Sequence, residues 1–147
     1  MKKLPCARFS SLKVKLLGNT RCPEKKRDGD AGYDFYLNTG IYLAAKETTI
    51  INTGVCVEIP KGYAGLLALR SSLCKEGLVL QNPLIDSNYR GEIHAIIYNA
   101  TNIPKYYKEG ERLYSLYVFP VLDEKLEIVE ELSESNRGTS WNGSSGK

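Results

Sequence analysis

The sequence predicts an all-β domain, folded as a sandwich or barrel, with at most one short helix. Short runs rich in apolar and β-branched residues recur at spacings of about eight to twelve residues. Gly, Asn and Pro residues separate these runs. No segment before residue 120 carries the 3.6-residue apolar repeat of an amphipathic helix. Many short strands with turn residues between them are typical of sandwiches and barrels.

The individual elements follow from local patterns. Val55, Val57 and Ile59 alternate with other residues, which is the period of a half-buried strand. One helical turn is expected at residues 71–75, and residues 122–132 are spaced ambiguously between strand and helix. The expected strands lie within residues 14–17, 41–43, 48–52, 55–59, 63–69, 78–80, 93–98 and 113–119.

Composition places the chain among water-soluble globular domains. It has 147 residues, 42% of them hydrophobic and 25% charged, which is ordinary for one such domain. No apolar run reaches the roughly 18 residues of a membrane span, and the N-terminus lacks the apolar core of a signal peptide. We therefore expect a cytoplasmic protein with no membrane partner. The wide spacing of its cysteines, together with a single histidine, argues against a zinc site.

Part of the net charge of +3 sits in the basic run at residues 21–27. No aromatic residues interleave with these cations to stack bases, so a solvated loop is favoured over a nucleic-acid patch. A mildly basic protein can still attract a small polyanionic ligand.

Three polar clusters interrupt the strands, at residues 31–34, 70–73 and 85–92. Taken singly, each also fits a turn, a helix cap or a hairpin loop. Taken together, they place an arginine and two hydroxyls, which suit phosphate oxygens, beside two aspartates. Aspartates suit a hydrated divalent cation and a general base. The chain has no Gly-rich phosphate loop and no histidine–nucleophile pair, so phosphate chemistry here is expected to use an activated water.

The C-terminal residues 133–147 differ from the β domain of residues 1–132. Their Gly, Ser and Asn content favours a flexible arm. Arg137 and Trp141 in this arm suit closure over an anionic ligand, with a plain disordered terminus as the alternative.

Five segments in order resemble the five motifs of the trimeric, all-β dUTPase family, and virus and bacteriophage members most of all. They are AGYDFY at 31–36, RSSL at 70–73, LIDSNYRGEI at 84–93, GERLYSL at 110–116 and RGTSWNGSSGK at 137–147. The resemblance spans residues 14–147. It implies a jelly-roll homotrimer with active sites where subunits meet, hydrolysing dUTP to dUMP and pyrophosphate with Mg²⁺.

The resemblance also implies residue roles. Asp86 would be the general base, and Asp34 would reach Mg²⁺ through a water. The triphosphate would be held by Arg70, Ser71 and Ser72.

The remaining implied roles concern the nucleoside and the lid. Tyr89 would pack on the deoxyribose, while Asn82 and Ile85 belong to a hairpin at residues 80–85 whose backbone would read uracil. In the closing arm, Arg137 would pair with the γ-phosphate and Trp141 would stack on the base. Gly143 and Ser144 complete the substrate-binding positions of this arm.

Four positions depart from the family pattern. Asn88 stands where a second aspartate is usual, at a position that needs only a local hydrogen bond in a turn. Pro83 stands where a glycine is usual and removes a backbone donor that could face the base. Ser115 replaces a glutamine and is too short to reach phosphates without a water. Trp141 stands one position earlier than the usual phenylalanine. Two alternatives follow: a regulatory protein of this fold that docks on a protein partner with little turnover, or the same chemistry on another deoxynucleotide.

Overall fold

A computed structural model describes residues 11–122 and 124–139, and β-strands dominate this part of the chain. It contains ten strands and one helix. These are β1 (Lys13–Leu16), β2 (Tyr33–Asp34), β3 (Ile41–Leu43), β4 (Thr48–Glu58), β5 (Tyr63–Leu69), α1 (Ser71–Lys75), β6 (Leu78–Gln81), β7 (Leu84–Ile85), β8 (Glu92–Asn99), β9 (Lys105–Tyr107) and β10 (Tyr114–Pro120). The all-β prediction with one short helix is confirmed.

The strands form two four-stranded antiparallel sheets and a ribbon. One sheet has the order β1-β4-β8-β6, the other β2-β10-β5-β7, and β3 pairs with β9. Buried and less buried residues alternate along β8, as a strand with one inward face requires. A single core takes side chains from both sheets, including Val57, Leu67, Ile97 and Leu116. The sheets therefore pack face to face as a sandwich.

The two runs predicted at residues 48–52 and 55–59 are parts of one strand, β4, which is interrupted by a bulge. Its register against β8 shifts between Asn52 and Cys56. Thr53 fills the gap, because its Oγ1 donates to Ile93 O (2.7 Å) and accepts from Val55 N (3.2 Å). Gly54, at φ +71°, donates its N–H to the Glu92 carboxylate at 2.6 Å. Local side chains therefore satisfy the backbone groups that the bulge leaves unpaired.

The expected hairpin at residues 80–85 is wrong. β6 pairs with β8 and β7 pairs with β5, so the connection between them is a corner that crosses from one sheet to the other. Asn82 makes the corner at φ +46°, a conformation that asparagine tolerates better than most residues. The carbonyl of Pro83 accepts from Leu67 N at 2.8 Å, which ties the corner to β5.

Sequence patterns missed β2, β7 and β9, which have two or three residues and show no period; β3 is equally short but was predicted, because its run is apolar. The segment at residues 122–132, whose spacing fits both strand and helix, forms neither: its described residues, 122 and 124–132, belong to no strand or helix. Leu126 and Ile128 are fully exposed there. No helix among the described residues is long and apolar enough to cross a membrane.

The bulge generates a stability prediction. Gly54→Ala should lower stability by about 2 kcal/mol or more, because it adds positive-φ strain and steric overlap with Thr20 and Asn38. Gly62→Ala is the matched control: φ is +83°, but no atom lies within 4 Å of the added methyl, so only about 1 kcal/mol of strain is expected. Thermal midpoints at one protein concentration measure both. Equal losses would show that packing at the bulge contributes nothing.

Candidate active site

Two clefts lie at opposite ends of the β5–β10 pair. The basic cleft, of about 1060 Å³, lies where β5 ends and β10 begins. The Asp86 cleft, of about 910 Å³, lies where β5 begins and β10 ends. The basic cleft is lined by Lys26, Arg27, Asp30, Asp34, Arg70, Ser71, Lys75, Arg112 and Ser115, among others.

The basic cleft carries an excess of positive charge. Five basic side chains line it, against the two carboxylates of Asp30 and Asp34. A concave surface lined mainly by one sign of charge concentrates ligands of the opposite sign. The cleft therefore suits a polyanion such as a phosphate chain.

Asp34 is held rigidly at the floor of this cleft. It sits on β2, paired with Ser115 of β10. Arg112 Nη1 lies 2.6 Å from Asp34 Oδ2, and Ser115 Oγ donates to Asp34 Oδ1 at 2.6 Å. Sequence reasoning missed Arg112, although it lies in the fourth motif segment. Ser115 is 5% exposed, so it orients Asp34 instead of reaching outward for phosphates.

The predicted phosphate-binding cluster is only partly brought together. Arg70 follows β5, with its N–H bonded to Leu113 O at 2.9 Å and its guanidinium 3.4 Å from Arg112 O. Arg70 and Ser71 line the basic cleft together with Asp34. Ser72 instead lines a smaller adjoining depression of about 380 Å³, which Arg70 also borders.

The helix that carries Ser71 and Ser72, α1, is held by contacts at its C-terminal end. Tyr107 OH on β9 donates to Glu76 Oε2 at 2.8 Å, just past the end of α1. Burial, and then the bond to Glu76, raise the pKa of Tyr107, so its phenol stays a donor. Lys105 lies 3.5 Å from the same carboxylate oxygen. The ribbon therefore fixes α1 at its C-terminal end.

Two residues of the basic run at residues 21–27, Lys26 and Arg27, line the basic cleft. Glu24 pairs with Asp34 through two backbone hydrogen bonds of 3.2 and 2.9 Å. Its carboxylate accepts from Lys26 (2.5 Å), Arg21 (2.9 Å) and Tyr36 OH. The hydrogen bond from Lys26, and then that from Tyr36, lower the pKa of Glu24 from 4.5 to about 2. The run is exposed, as expected of a solvated loop, but it is pinned to β2.

The Asp86 cleft holds the third polar cluster. Asp86 follows β7 and is exposed, and its carbonyl accepts from Tyr89 N at 3.1 Å. Tyr89 packs against Gly91, where an added Cβ would come within 2.7 Å of the ring, and its OH donates to Glu92 O at 2.7 Å. Arg90 closes the same turn through Ser87 O at 2.6 Å.

One chain does not bring Asp86 to the basic cleft. The seven residues of β5 separate the two clefts by roughly 20 Å, at about 3.4 Å per residue. None of the described residues lines both clefts. The sequence-predicted base and phosphate-binding residues therefore belong to different surfaces of the same subunit.

The remaining predicted residues lie elsewhere. Ile85 is 9% exposed, so its side chain is part of the core and only its backbone is available to a ligand. Asn82 is exposed at the corner. Arg137 lies in a turn where Gly138 N donates to Ser135 O at 3.1 Å. Trp141, Gly143 and Ser144 fall outside the described residues.

Comparison with known proteins decides the family. A family model described as dUTPase matches residues 19–146, nearly the whole chain. The chain belongs to the dUTPase family.

Individual dUTPases align over most of their length. The deoxyuridine 5'-triphosphate nucleotidohydrolase of Paramecium bursaria Chlorella virus 1 is 34% identical over 140 residues, covering 94% of this chain and 99% of that protein. A mutant dUTPase of Staphylococcus bacteriophage 80alpha with dUpNHpp superposes with a TM-score of 0.88 at 32% identity, over 95% of this chain and 100% of the other. A mutant dUTPase of phage phi11, with a structural Mg(II) ion, gives 0.77 at 30% identity, over 82% and 97%.

The carboxylate oxygens of Asp34 in this dUTPase-family chain suit the water shell of a hydrated Mg²⁺. Among the described residues, no group of three or more His, Cys, Asp or Glu side chains forms a metal cage. Asp34 accepts one hydrogen bond on each oxygen, and an ionised carboxylate has about four acceptor positions, so capacity remains for waters of an ion. Mg²⁺ keeps several waters and binds phosphates in preference to all-protein cages.

The Glu24 contacts generate a pH prediction. Because the pKa of Glu24 is lowered by folding, its stabilising effect is complete above about pH 4.5 and is lost as pH falls towards 2. Glu24→Gln should therefore lower the thermal midpoint at pH 7, and the difference from the original protein should shrink between pH 4.5 and pH 3. Lys13 pairs with Glu58 on the surface at 3.2 Å, which makes Glu58→Gln the matched control with a smaller effect. A pH-independent difference would contradict the assignment.

Proposed function

We propose that this protein hydrolyses dUTP to dUMP and pyrophosphate. The observation that carries the proposal is the basic cleft, where Arg70 and Ser71 face an aspartate fixed by Arg112 and Ser115. Charge-assisted hydrogen bonds from arginine and hydroxyl groups suit a triphosphate. Membership of the dUTPase family gives the substrate.

Asp86 is the proposed general base. Its carboxylate is exposed in a cleft, and no described side chain forms a hydrogen bond or an ion pair with it. It would take a proton from the water that attacks the α-phosphorus in line, and pyrophosphate would leave. Such a base contributes about 10²–10⁴-fold to the rate.

The separation of the clefts supports a shared site between subunits. Asp86 lies roughly 20 Å from the basic cleft of its own chain, which is too far for one nucleotide's α-phosphate to meet both. The proposed active unit is a homotrimer, in which Asp86 of one subunit faces the basic cleft of a neighbour.

Tyr89 is the proposed gate against ribonucleotides. Its ring packs against Gly91 and its hydroxyl is bonded to Glu92 O, and these contacts hold the ring in place. A deoxyribose would pack on that face, whereas a 2′-hydroxyl would lose its hydration without a partner. Asn82 and the backbone of Ile85 are the proposed contacts to the base.

Mg²⁺ is the proposed cofactor, held by the substrate phosphates and, through water, by Asp34. When bound, it would neutralise charge that develops on the phosphates. Arg112 and Ser115 keep the carboxylate of Asp34 in the orientation that this contact needs. In the C-terminal arm, Arg137 would pair with the γ-phosphate, while Trp141, Gly143 and Ser144 would close over the nucleotide.

The decisive test is pyrophosphate release with Mg²⁺ from dUTP, dCTP, dTTP and UTP, measured side by side. Turnover of dUTP alone is the expected result. Turnover of another deoxynucleotide would instead indicate altered base selection at the Asn82–Pro83 corner. No turnover of any of them, from folded protein, would overturn the enzymatic proposal and favour a regulatory role.

Asp86→Asn should lower kcat by about 10²–10⁴-fold while binding of a non-hydrolysable dUTP analogue stays within a few-fold, because a general base acts mainly in the transition state. The matched control is Asp28→Asn, another exposed aspartate, which lines neither cleft. Calorimetric titration gives the affinity and pyrophosphate release gives the rate. Retained turnover in Asp86→Asn would remove this residue from its role.

A mixing experiment tests the shared site. Asp86→Asn and Arg70→Ala chains are each expected to be poorly active alone. In mixed trimers, a site has both residues intact only where the chain that supplies Arg70 carries Asp86→Asn and the neighbour that supplies Asp86 carries Arg70→Ala, which is one of the four possible pairings. Random equimolar mixing should therefore restore about a quarter of the sites. Activity that stays at the level of the parents, in trimers shown to be mixed, would place both residues in one chain's site.

A further inference from the structure

The basic run at residues 21–27 contains four cations, and three of them hold the loop in place. Arg21 lies 2.9 Å from the Glu24 carboxylate, with its guanidinium 3.7 Å from the centre of the Tyr36 ring. Lys26 lies 2.5 Å from Glu24. The Lys25 ammonium lies 4.9 Å from the centre of the Tyr33 ring. These contacts pin the loop against β2 and the residues that follow it.

Arg27 is the fourth cation, and it differs from the other three. It lines the basic cleft, and no described carboxylate, hydroxyl or aromatic ring pairs with its guanidinium. Its backbone is ordered by a turn, in which Arg27 N donates to Asp30 Oδ2 at 2.9 Å and Asp30 N donates to Arg27 O at 3.2 Å. The loop therefore holds the main chain of Arg27 while its side chain remains available.

The electrostatics of the cleft make an anion the expected partner for Arg27. Its neighbours in the lining include Arg70, Lys75 and Arg112, and the carboxylate of Asp34 is already engaged by Arg112. A guanidinium in such surroundings gains most from a bidentate contact with phosphate oxygens. Ser115, on the same cleft, is buried and bonded to Asp34, so it offers the phosphates no donor of its own.

We infer that Arg27 is an additional binding residue for the triphosphate, supplied by the loop before the first motif. The inference rests on the proposed function for the identity of the nucleotide, but not for the anion: any polyphosphate that enters the basic cleft would meet the same guanidinium. Arg27 would bind the ground state and the transition state alike, because it holds a phosphate chain and takes no part in proton transfer.

The test uses two readouts on the full-length protein. Arg27→Ala should weaken binding of inorganic tripolyphosphate, measured by titration calorimetry, about tenfold. It should raise KM for dUTP by a similar factor with kcat within about threefold, because uniform binding acts on KM. Arg27→Lys keeps the charge without the bidentate fork, so an intermediate loss is expected.

Lys25→Ala is the matched control. It removes the same charge from the same loop, but Lys25 does not line the basic cleft, so tripolyphosphate affinity should change less than about twofold. Thermal midpoints of all three variants report whether the loop and the fold survive. A folded Arg27→Ala that binds tripolyphosphate as tightly as the original protein would overturn the inference. An equal loss in Lys25→Ala would also overturn it, since the effect would then be one of net charge.

The outcomes also separate this inference from the proposed function. Absence of pyrophosphate release from every nucleotide, with tripolyphosphate binding that still depends on Arg27, would overturn the enzymatic function and support the Arg27 contact. If Arg27→Ala instead releases pyrophosphate with unchanged KM and kcat and binds tripolyphosphate with unchanged affinity, the enzymatic function would be supported and the Arg27 contact overturned. Failure of the original protein to bind tripolyphosphate at all would count against the Arg27 contact directly.

Discussion

The antiparallel pairing of β5 with β10 is the constraint on which both clefts depend. Its register runs from Tyr63 opposite Pro120 to Leu69 opposite Tyr114. One end turns directly into Arg70 and α1, while the other end meets β7 and Asp86 through the pairing of Gly65 with Ile85. A side chain at Gly65 would come within 2.7 Å of Ile59 and 3.0 Å of Leu116, so glycine permits this close packing. Because a paired strand is extended, its length sets the distance between the basic cleft and the Asp86 cleft.

That distance explains why the proposed site residues of one chain lie on two separate surfaces. Each surface is ordered by itself: Asp34 by Arg112 and Ser115, and Tyr89 by Gly91 and Glu92. The hydrogen bonds that order one surface involve no residue of the other. Assembly of subunits would then join preformed surfaces, which lowers the ordering cost at the moment a nucleotide binds. The division also means that a substitution in one surface can leave the geometry of the other intact.

The residues that differ from the family pattern at positions 83 and 115 make contacts of their own in this structure. Ser115 is short, and burial turns its hydroxyl to Asp34. Pro83 lacks an N–H, but its carbonyl is used by Leu67 N, which anchors the corner between the sheets. Asn82, at positive φ, carries the sharp change of direction. The corner is therefore held by β5 and by local backbone geometry, and it is an edge of the sandwich instead of a free hairpin.

Sequence alone determined the all-β class, most strands, α1 and the five motif segments, because these depend on local periodicity, turn residues and short motifs that stay contiguous in the chain. It could not supply β2, β7 and β9, which are too short to show a period, or the change of sheet at Asn82. It also missed Arg112 and the burial of Ser115, since both arise from contacts with Asp34, which is distant in the chain. Only the tertiary structure decided that Asp86 and Arg70 lie at opposite ends of one strand pair, because strand order and register, which no local pattern encodes, determine which ends meet.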